Sequence, residues 1–133
     1  MKTYVDTSAW IALYDRREDN HKSAKETLRT RTGPGKALVT GWHTLVELAD
    51  GLASHYTQEA AAGELTKLLG SPSLKVLESE PHREAALTLL RTRTGWGVDL
   101  SDCLSFAVME HHRIDTAFSY DADFIKAGFR VVG

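Results

Sequence analysis

Short apolar runs alternate with longer amphipathic stretches along the whole chain. The short runs are rich in Val, Leu, Phe and Tyr and are bounded by turn residues, a pattern that predicts strands. The predicted strands are Thr3–Val5, Ala37–Val39, Leu74–Leu77, Ala117–Tyr120 and Phe129–Val132. The longer stretches repeat apolar residues at helical spacing. They predict helices over Ala9–Asp15, His21–Arg31, Trp42–His55 and Thr57–Leu69, a helix that begins at Pro81, and one that runs from Ser101 to about His112.

The order of these elements predicts the fold class. Strands separated by helices are joined by right-handed crossovers, which make neighbouring strands parallel. No helix is predicted between the last two strands. The pattern therefore predicts a single α/β sandwich over residues 1–133, in which a mainly parallel sheet is flanked by helices.

The ends of the helices carry signals of their own. Thr7 or Ser8 is predicted to cap the first helix and Ser101 the last long one, because a hydroxyl accepts hydrogen bonds from the free N–H groups of a first turn. Thr32-Gly33-Pro34-Gly35 is the strongest turn signal in the chain. We therefore expect a tight turn before the second strand.

Four carboxylates stand where predicted strands end or where the following helices begin. Asp6 and Asp121 each follow an apolar strand directly. Glu47 lies near the start of the helix after the second strand, and Asp102 near the start of the last long helix. Ligands of open parallel sheets bind beyond the carboxyl ends of the strands. We therefore expect the four side chains to converge in one acidic pocket.

Such a pocket predicts a metal ion. Neighbouring carboxylates raise one another's pKa and repel one another unless a cation is bound. Oxygen ligands favour hard ions such as Mg²⁺ or Mn²⁺, whereas zinc normally takes closely spaced His or Cys ligands. A divalent ion there lowers the pKa of a bound water and stabilises the charge of a phosphoryl displacement. The expected chemistry is metal-assisted hydrolysis of phosphodiesters.

Each carboxylate also has a purely structural explanation. Asp6 can stop a strand and cap a helix, and Asp121 can be a turn residue. Glu47 can be a solvated helix residue, and Asp102 can interact favourably with a helix dipole. The functional prediction therefore rests on the joint placement of the four residues and not on any one of them.

The charge balance neither demands nor excludes a nucleic-acid substrate. There are 16 Lys and Arg residues against 18 Asp and Glu residues, a formal net charge of -2, whereas proteins that coat phosphates carry a basic excess. A bound metal can reverse the local sign of an acidic pocket. A basic rim can also hold a polyanion, and the residues available for one are Arg16, Arg17, Lys22, Lys25, Arg29 and Arg31.

The single cysteine and the apolar runs bear on the cellular compartment. Cys103 has no intramolecular disulfide partner, which suits a reducing environment, and it is predicted to be a small buried residue because no histidine is placed to activate it. No apolar run is long enough to span a membrane, and no signal peptide is recognisable. We expect a cytoplasmic protein.

With these residues identified, the sequence resembles the PIN-domain family, and within it the VapC-type toxins of prokaryotic toxin–antitoxin pairs. The resemblance covers essentially the whole chain in the order and spacing of the family. The C-terminal motifs are its most specific part. The matching segments are Val5-Asp6-Thr7-Ser8-Ala9-Trp10, Glu47-Leu48, Leu100 to Met109, Ala117 to Phe124 and Ala127-Gly128-Phe129.

The resemblance implies a PIN-like α/β/α sandwich and an endoribonuclease that uses Mg²⁺ or Mn²⁺. By motif position, the residues implied to form the metal site are Asp6, Glu47, Asp102 and Asp121. Ser8 and Ser119 match hydroxyl positions that orient water or ligands. Asp99 and Asp123 are kept outside the core site, Asp99 as a helix cap or a solvated residue and Asp123 as a residue that points elsewhere or supports a second metal. VapC-type toxins usually form homodimers and are silenced by an antitoxin whose tail fills the acidic groove.

A few other residues invite chemical roles. His43 and Glu47 are four residues apart, but such a pair alone is more often structural than a zinc site. The adjacent His111 and His112 are not expected to face one metal from a regular helix. Trp96 lies in a glycine-flanked loop and is a candidate for stacking on unpaired RNA bases.

Other functions remain open at this point. The same carboxylates suit a phosphatase or a DNA nuclease, which a panel of substrates would separate. A PIN nuclease of RNA processing needs no antitoxin. A non-catalytic module would keep the acidic pocket only to bind a partner's Arg or Lys, and a metal titration would distinguish it from an enzyme.

Overall fold

The computed structural model describes residues 1–133, and its centre is a sheet of five parallel strands. The strands are β1 Lys2–Val5, β2 Ala37–Gly41, β3 Leu74–Leu77, β4 Thr116–Phe118 and β5 Arg130–Val132. Their order across the sheet is β3-β2-β1-β4-β5, so β1 lies in the middle. All four pairings are parallel. The predicted α/β class is confirmed.

Helices form the connections between the strands. They are α1 Thr7–Tyr14, α2 His21–Thr30, α3 Trp42–His55, α4 Gln58–Leu69, α5 Arg83–Thr92, α6 Leu100–His111 and α7 Asp123–Lys126. A short 3₁₀ turn, Glu80–His82, leads into α5. None of the helices combines the length and the apolar character that a membrane span requires.

Each face of the sheet has its own apolar core. Successive side chains of a strand point to opposite faces, and β1 follows this rule. Val5 belongs to the core beneath α1 to α4, together with residues such as Leu48 of α3. Tyr4 belongs to the core beneath α5 to α7, with Phe106 of α6 and Phe124 of α7. Thr3, Tyr4 and Val5 are accordingly all buried, and only Lys2 at the start of the strand is exposed.

Aspartates, and not the predicted hydroxyl residues, cap α1 and α6. Asp6 is the N-cap of α1 and accepts from the Ser8 N–H, and Asp99 is the N-cap of α6. Thr7, Ser8 and Ser101 lie inside the first turns, so their predicted capping roles are wrong. A carboxylate caps as well as a hydroxyl does and adds a favourable interaction with the helix dipole.

The connection between β4 and β5 contains a helix that was not predicted. β4 ends at Phe118, earlier than expected, and the four-residue α7 follows. The Ser119 N–H still donates to the Val132 carbonyl at 3.1 Å. A helix this short has no apolar periodicity to detect, although parallel neighbours require some crossover between them.

A buried polar network joins β1, α3 and α6. The Tyr4 hydroxyl lies 2.8 Å from Thr44 Oγ1 and 3.0 Å from Ser105 Oγ. His43 extends the network, with Nε2 2.9 Å from Ser105 Oγ and Nδ1 2.5 Å from Ser79 Oγ. Burial lowers the pKa of His43 to about 4, so its ring is neutral at physiological pH. Both ring nitrogens of His43 are therefore engaged by serine hydroxyls within the protein.

Gly41 is predicted to be irreplaceable, because a Cβ there would lie 2.5 Å from His43 Cε1 and 2.9 Å from the Tyr4 hydroxyl. Gly41→Ala should lower the free energy of unfolding by about 1–3 kcal/mol, as measured by urea denaturation. Gly51→Ala is the matched control, because a Cβ at Gly51 meets open space, and in a helix this change is neutral or stabilises by up to about 1 kcal/mol. Equal losses for both variants would contradict the packing explanation.

Candidate metal centre

Asp6 is a buried carboxylate at the carboxyl end of the central strand. Only 8% of the residue is exposed. Its Oδ2 accepts from Ser8 Oγ at 2.9 Å and from Ser119 Oγ at 3.0 Å. Each hydroxyl also accepts a backbone N–H, Ser8 from Tyr120 and Ser119 from Asp121. The single hydrogen of each serine is thereby directed at Asp6, and the ends of β1 and β4 are held together.

Burial raises the pKa of Asp6, and the hydrogen bonds from Ser8 and Ser119 oppose that rise. No Lys or Arg forms a salt bridge with Asp6. A buried carboxylate without a cationic partner is costly to ionise. Its hydrogen bonds orient it, but they leave its charge uncompensated.

Three further carboxylates meet next to this position. The carboxylate oxygens of Asp102, Asp121 and Asp123 lie within 4.8 Å of one another. Asp102 lies in the first turn of α6, Asp121 in the loop after β4, and Asp123 at the start of α7. Strand-end topology thus brings Asp102 and Asp121 together, as the sequence predicts.

Asp123, which the sequence analysis kept outside the core site, lies within this carboxylate group. The Asp123 N–H donates to Asp121 Oδ1 at 2.9 Å, and this tight turn folds the second aspartate back toward the first. The Asp-Ala-Asp spacing was the available signal, but its direction depends on the unpredicted helix α7. Asp123 also has a cationic neighbour, Lys126, at 3.6 Å.

The charges of the neighbouring acidic residues affect the pKa of Asp102. The pKa of Asp102 is raised to about 7, chiefly by burial, and next by the charge of Asp99. The charges of Asp121 and Asp6 raise it further. Asp6 is therefore within electrostatic reach of the group even though its carboxylate is not one of the three closest.

Asp99 has the capping role that was expected of it. Its carboxylate accepts the Asp102 N–H at 2.8 Å, and Asp102 Oδ2 faces the Asp99 N–H at 3.4 Å, which makes a reciprocal capping box. The cap fixes the first turn of α6, and with it the backbone position of Asp102.

Glu47 was expected to converge with the other carboxylates, but it lies outside the three-carboxylate group. It is exposed on α3, and its Oε1 accepts a hydrogen bond from Thr7 Oγ1. Thr7 directly follows Asp6, so this bond links α3 to the start of α1. The sequence singles out Thr7 only as a cap, and its contact with Glu47 depends on how α1 and α3 pack.

The donor set fits a hard divalent cation. All of the ligand atoms offered are carboxylate oxygens, and only Asp123 has a salt-bridge partner among these acids. Oxygens around one Mg²⁺ lie about 2.1 Å from it and so at most about 4.2 Å apart. The observed spacing within 4.8 Å requires only small side-chain adjustments.

A cationic loop borders the acidic group. The Arg93 guanidinium lies over the Trp96 ring, 4.7 Å from its centroid. Lys126 connects this loop to the carboxylates, since its Nζ lies 3.5 Å from the Trp96 carbonyl oxygen and 3.6 Å from Asp123 Oδ1. Lys126 thus joins the loop that carries Arg93 and Trp96 to the carboxylate group.

Cys103 follows Asp102 and is fully buried. Burial raises the pKa of its thiol, as do the charges of Asp102 and Asp99. A buried thiol with a raised pKa is a poor nucleophile. Its predicted role as a small core residue is therefore supported.

The adjacent histidines lie close together at the end of α6. The ring nitrogens of His111 and His112 lie within 4.8 Å of each other and of a His82 nitrogen. α6 ends at His111, and His112 is already its C-cap, so the geometry of a regular helix does not apply to the pair.

Removing the Asp102 carboxyl should change how stability depends on pH. The folded pKa of Asp102 is about 7 against an ordinary 3.8, so the folded chain holds this proton more tightly than the unfolded chain does. The resulting stabilisation is fully present below the unfolded pKa and is lost as the pH rises through the folded one. We therefore compare the unfolding free energies of the wild type and of Asp102→Asn without metal. The value for the wild type minus the value for the variant should fall as the pH rises from the unfolded pKa through the folded pKa.

Chemical denaturation at a series of pH values, in the presence of a chelator, measures this difference. The subtraction cancels the contribution of His43, which runs in the opposite direction. Saturating Mg²⁺ should remove most of the fall, because the ion binds the ionised carboxylate. A difference that stays flat with pH in the chelator would contradict the raised pKa.

Comparison with known proteins identifies the family. The model of the PIN domain matches residues 3–130. No curated protein gives a significant match. Among solved structures, VapC20 of Mycobacterium tuberculosis, a toxin that cleaves the sarcin–ricin loop, is 29% identical with a TM-score of 0.86, covering 96% of this chain and 95% of that chain.

Two other structures share the fold at lower identity. VapBC2 of Rickettsia felis, solved with a fragment of its promoter DNA, is 16% identical with a TM-score of 0.75 and covers 98% of this chain and 97% of that chain. FitAcB of Neisseria gonorrhoeae is also 16% identical, with a TM-score of 0.71, and covers 100% of this chain and 97% of that chain.

The family match spans nearly the whole chain, and the solved structures align over nearly their full lengths. The resemblance to VapC-type proteins noted in the sequence is confirmed, and so is the PIN-like α/β/α fold. These findings support a nuclease of the VapBC toxin type. The chain belongs to the PIN domain family.

Proposed function

We propose that this chain is an Mg²⁺- or Mn²⁺-dependent endoribonuclease and the toxin of a VapBC-type toxin–antitoxin pair. The observation that carries the proposal is the group formed by Asp102, Asp121 and Asp123 next to the buried Asp6. Its charge is not neutralised by the protein, apart from Lys126 at Asp123. A divalent ion is the simplest counter-charge for such a group.

The residues divide into ligands and supports. Asp102, Asp121 and Asp123 would hold the ion, with Asp6 completing the site from the end of β1. Ser8 and Ser119 orient Asp6 by donating both of their hydroxyl hydrogens to its Oδ2. Glu47, bonded to Thr7 next to Asp6, would accept a proton or a hydrogen bond at the rim of the site. When bound, the ion would lower the pKa of water and stabilise the charge on the phosphate.

Asp102 is expected to make metal binding, and with it nuclease activity, depend on pH. With a pKa raised to about 7, it is partly protonated at neutral pH when no metal is present. Ligation requires the ionised form, so metal binding releases a proton. Nuclease activity at limiting Mg²⁺ should therefore increase with pH across this range.

RNA is the proposed substrate, and the loop of Arg93 and Trp96 is its proposed contact. Unpaired bases stack on aromatic rings, and nearby cations attract the backbone. Arg93 over the Trp96 ring and Lys126 beside Asp123 supply local positive charge, which a chain with a net charge of -2 needs in order to hold a polyanion. VapC20, which is 29% identical to this chain, is a toxin that cleaves the sarcin–ricin loop, and this supports the same class of substrate here.

An antitoxin is the proposed partner, and an apolar groove is its proposed docking surface. The groove has a volume of about 740 Å³ and runs between α1, α2 and α4. Trp10, Leu28 and Leu68 contribute to its floor, and Arg16 and Lys25 lie among the polar residues of its lining. This chemistry suits an amphipathic segment with acidic residues. Several similar structures are toxin–antitoxin complexes, which supports such a partner.

The active form is proposed to be a homodimer, as the resemblance to VapC-type toxins implies. Light scattering of the purified chain, alone and with the co-expressed antitoxin, measures the subunit number directly. A monomer at all concentrations would contradict this part of the proposal.

Asp121→Asn should abolish RNA cleavage while the chain remains folded. Loss of a metal ligand should lower kcat by more than about a hundredfold, or about 2.7 kcal/mol of transition-state stabilisation. A fluorogenic RNA assay measures cleavage, and Mn²⁺ titration calorimetry measures ligation. Asp19→Asn, an exposed aspartate in the loop before α2, is the matched control. Equal cleavage by the wild type and Asp121→Asn would refute the carboxylate mechanism.

Trp96→Ala should raise KM for RNA and leave kcat largely unchanged, because the ring binds a base and not the reacting phosphate. Loss of one base–aromatic stack weakens binding by about 1–3 kcal/mol. Trp96→Phe is the control, since it retains an aromatic face and should stay close to the wild type. A fall in kcat with unchanged KM would contradict the substrate-binding role.

A further inference from the structure

Three histidines form a cluster far from the acidic group. His82 is the last residue of the 3₁₀ turn, His111 ends α6, and His112 is the next residue. One ring nitrogen from each lies within 4.8 Å of the others. The ring centroids are 4.7 Å apart for His82 and His111, 4.9 Å for His111 and His112, and 5.7 Å for His82 and His112.

The packing of α5 against α6 explains why these residues meet. Ala86 of α5 packs against Cys103 and Ala107 of α6, so small side chains allow the two helices a close approach. The 3₁₀ turn before α5 also contacts α6. The start of one helix is therefore held against the end of the other, and the histidines occupy that junction.

The imidazoles are in a state that can bind a metal. None of their ring nitrogens makes a hydrogen bond or a salt bridge within the protein, in contrast to His21 and His43. The pKa of His82 is lowered by burial and by the charge of His111. Burial is also the largest cause of the lowered pKa of His112. Neutral imidazole is the form that ligates a metal.

We propose that His82, His111 and His112 form a second metal site, which binds Zn²⁺ or a similar transition ion through three ring nitrogens. Three imidazoles with a water in the fourth position are an established ligand set for zinc. Nitrogens about 2.1 Å from a tetrahedral Zn²⁺ lie about 3.4 Å apart, so the rings must move together by a small rotation. His111 is exposed, which leaves its ring free to make that rotation.

This site differs from the acidic one in both place and chemistry. Asp102 and His112 lie at opposite ends of α6, ten residues apart in the sequence, which is about 15 Å at 1.5 Å per residue. Imidazole nitrogens select late first-row ions, whereas carboxylates suit Mg²⁺ and Mn²⁺. Millimolar Mg²⁺ should therefore leave the histidine site available to Zn²⁺.

The positive charges of two nearby lysines disfavour binding of the ion. The charges of Lys2 and Lys75 contribute to the lowered pKa of His112, and the same charges repel a dication. Lys75 is exposed on β3, so it can be replaced without disturbing the core. Lys75→Ala should therefore strengthen Zn²⁺ binding.

The test is Zn²⁺ titration calorimetry on the untagged full-length chain in excess Mg²⁺, with thermal unfolding as a second readout. We expect one Zn²⁺ per chain and a rise in Tm on binding, since an ion that binds only the folded chain stabilises it. His111→Ala should weaken binding by about tenfold or more and remove the rise in Tm. His55→Ala, an exposed histidine at the end of α3, should behave as the wild type does.

The acidic site provides the second control. Asp121→Asn should bind Zn²⁺ as the wild type does, because its altered carboxylate lies at the other end of α6. Circular dichroism of metal-free His111→Ala should match that of the wild type, since the residue is exposed. Failure of the wild type to bind Zn²⁺, or equal binding by the wild type and His111→Ala, would overturn the proposal.

Discussion

Much of this structure depends on one constraint, the burial of a carboxylate at the end of the central strand. Asp6 terminates a strand whose side chains are buried on both faces, so its charge sits at the top of two apolar cores. Ser8 and Ser119 stabilise it by hydrogen bonding, and in doing so they join the ends of β1 and β4. The positions of Asp121 and Asp123 follow from the loop that Ser119 begins. An ion at this edge would thus interact with a carboxylate that is already oriented.

The fold could be predicted because its elements have strong local signals. Apolar strands between amphipathic helices imply parallel pairing, and parallel pairing sends the ends of β1 and β4 to the same edge. That reasoning suffices to bring Asp102 and Asp121 together. It places Glu47 only approximately, because the direction of an exposed side chain on α3 depends on its contact with Thr7.

Other features depend on geometry that residue spacing does not encode. Asp123 turns back toward Asp121 through a backbone hydrogen bond in a loop too short to show periodicity. The three histidines meet because two helices pack closely and because α6 ends between His111 and His112. Capping by Asp6 and Asp99 is a similar case, since several residues at each helix start were suitable caps and the path of the backbone decides among them.

Helix α6 brings these features together, because it holds Asp102 in its first turn, Ser105 of the buried polar network in its middle, and His111 at its end. It also carries Cys103, which is the only cysteine of the chain. This residue is fully buried where α5 packs against α6. A thiol reagent can therefore reach it only when α6 separates locally from its neighbours. The rate of alkylation of the native protein consequently reports how often that opening occurs, one residue away from Asp102, without an introduced label.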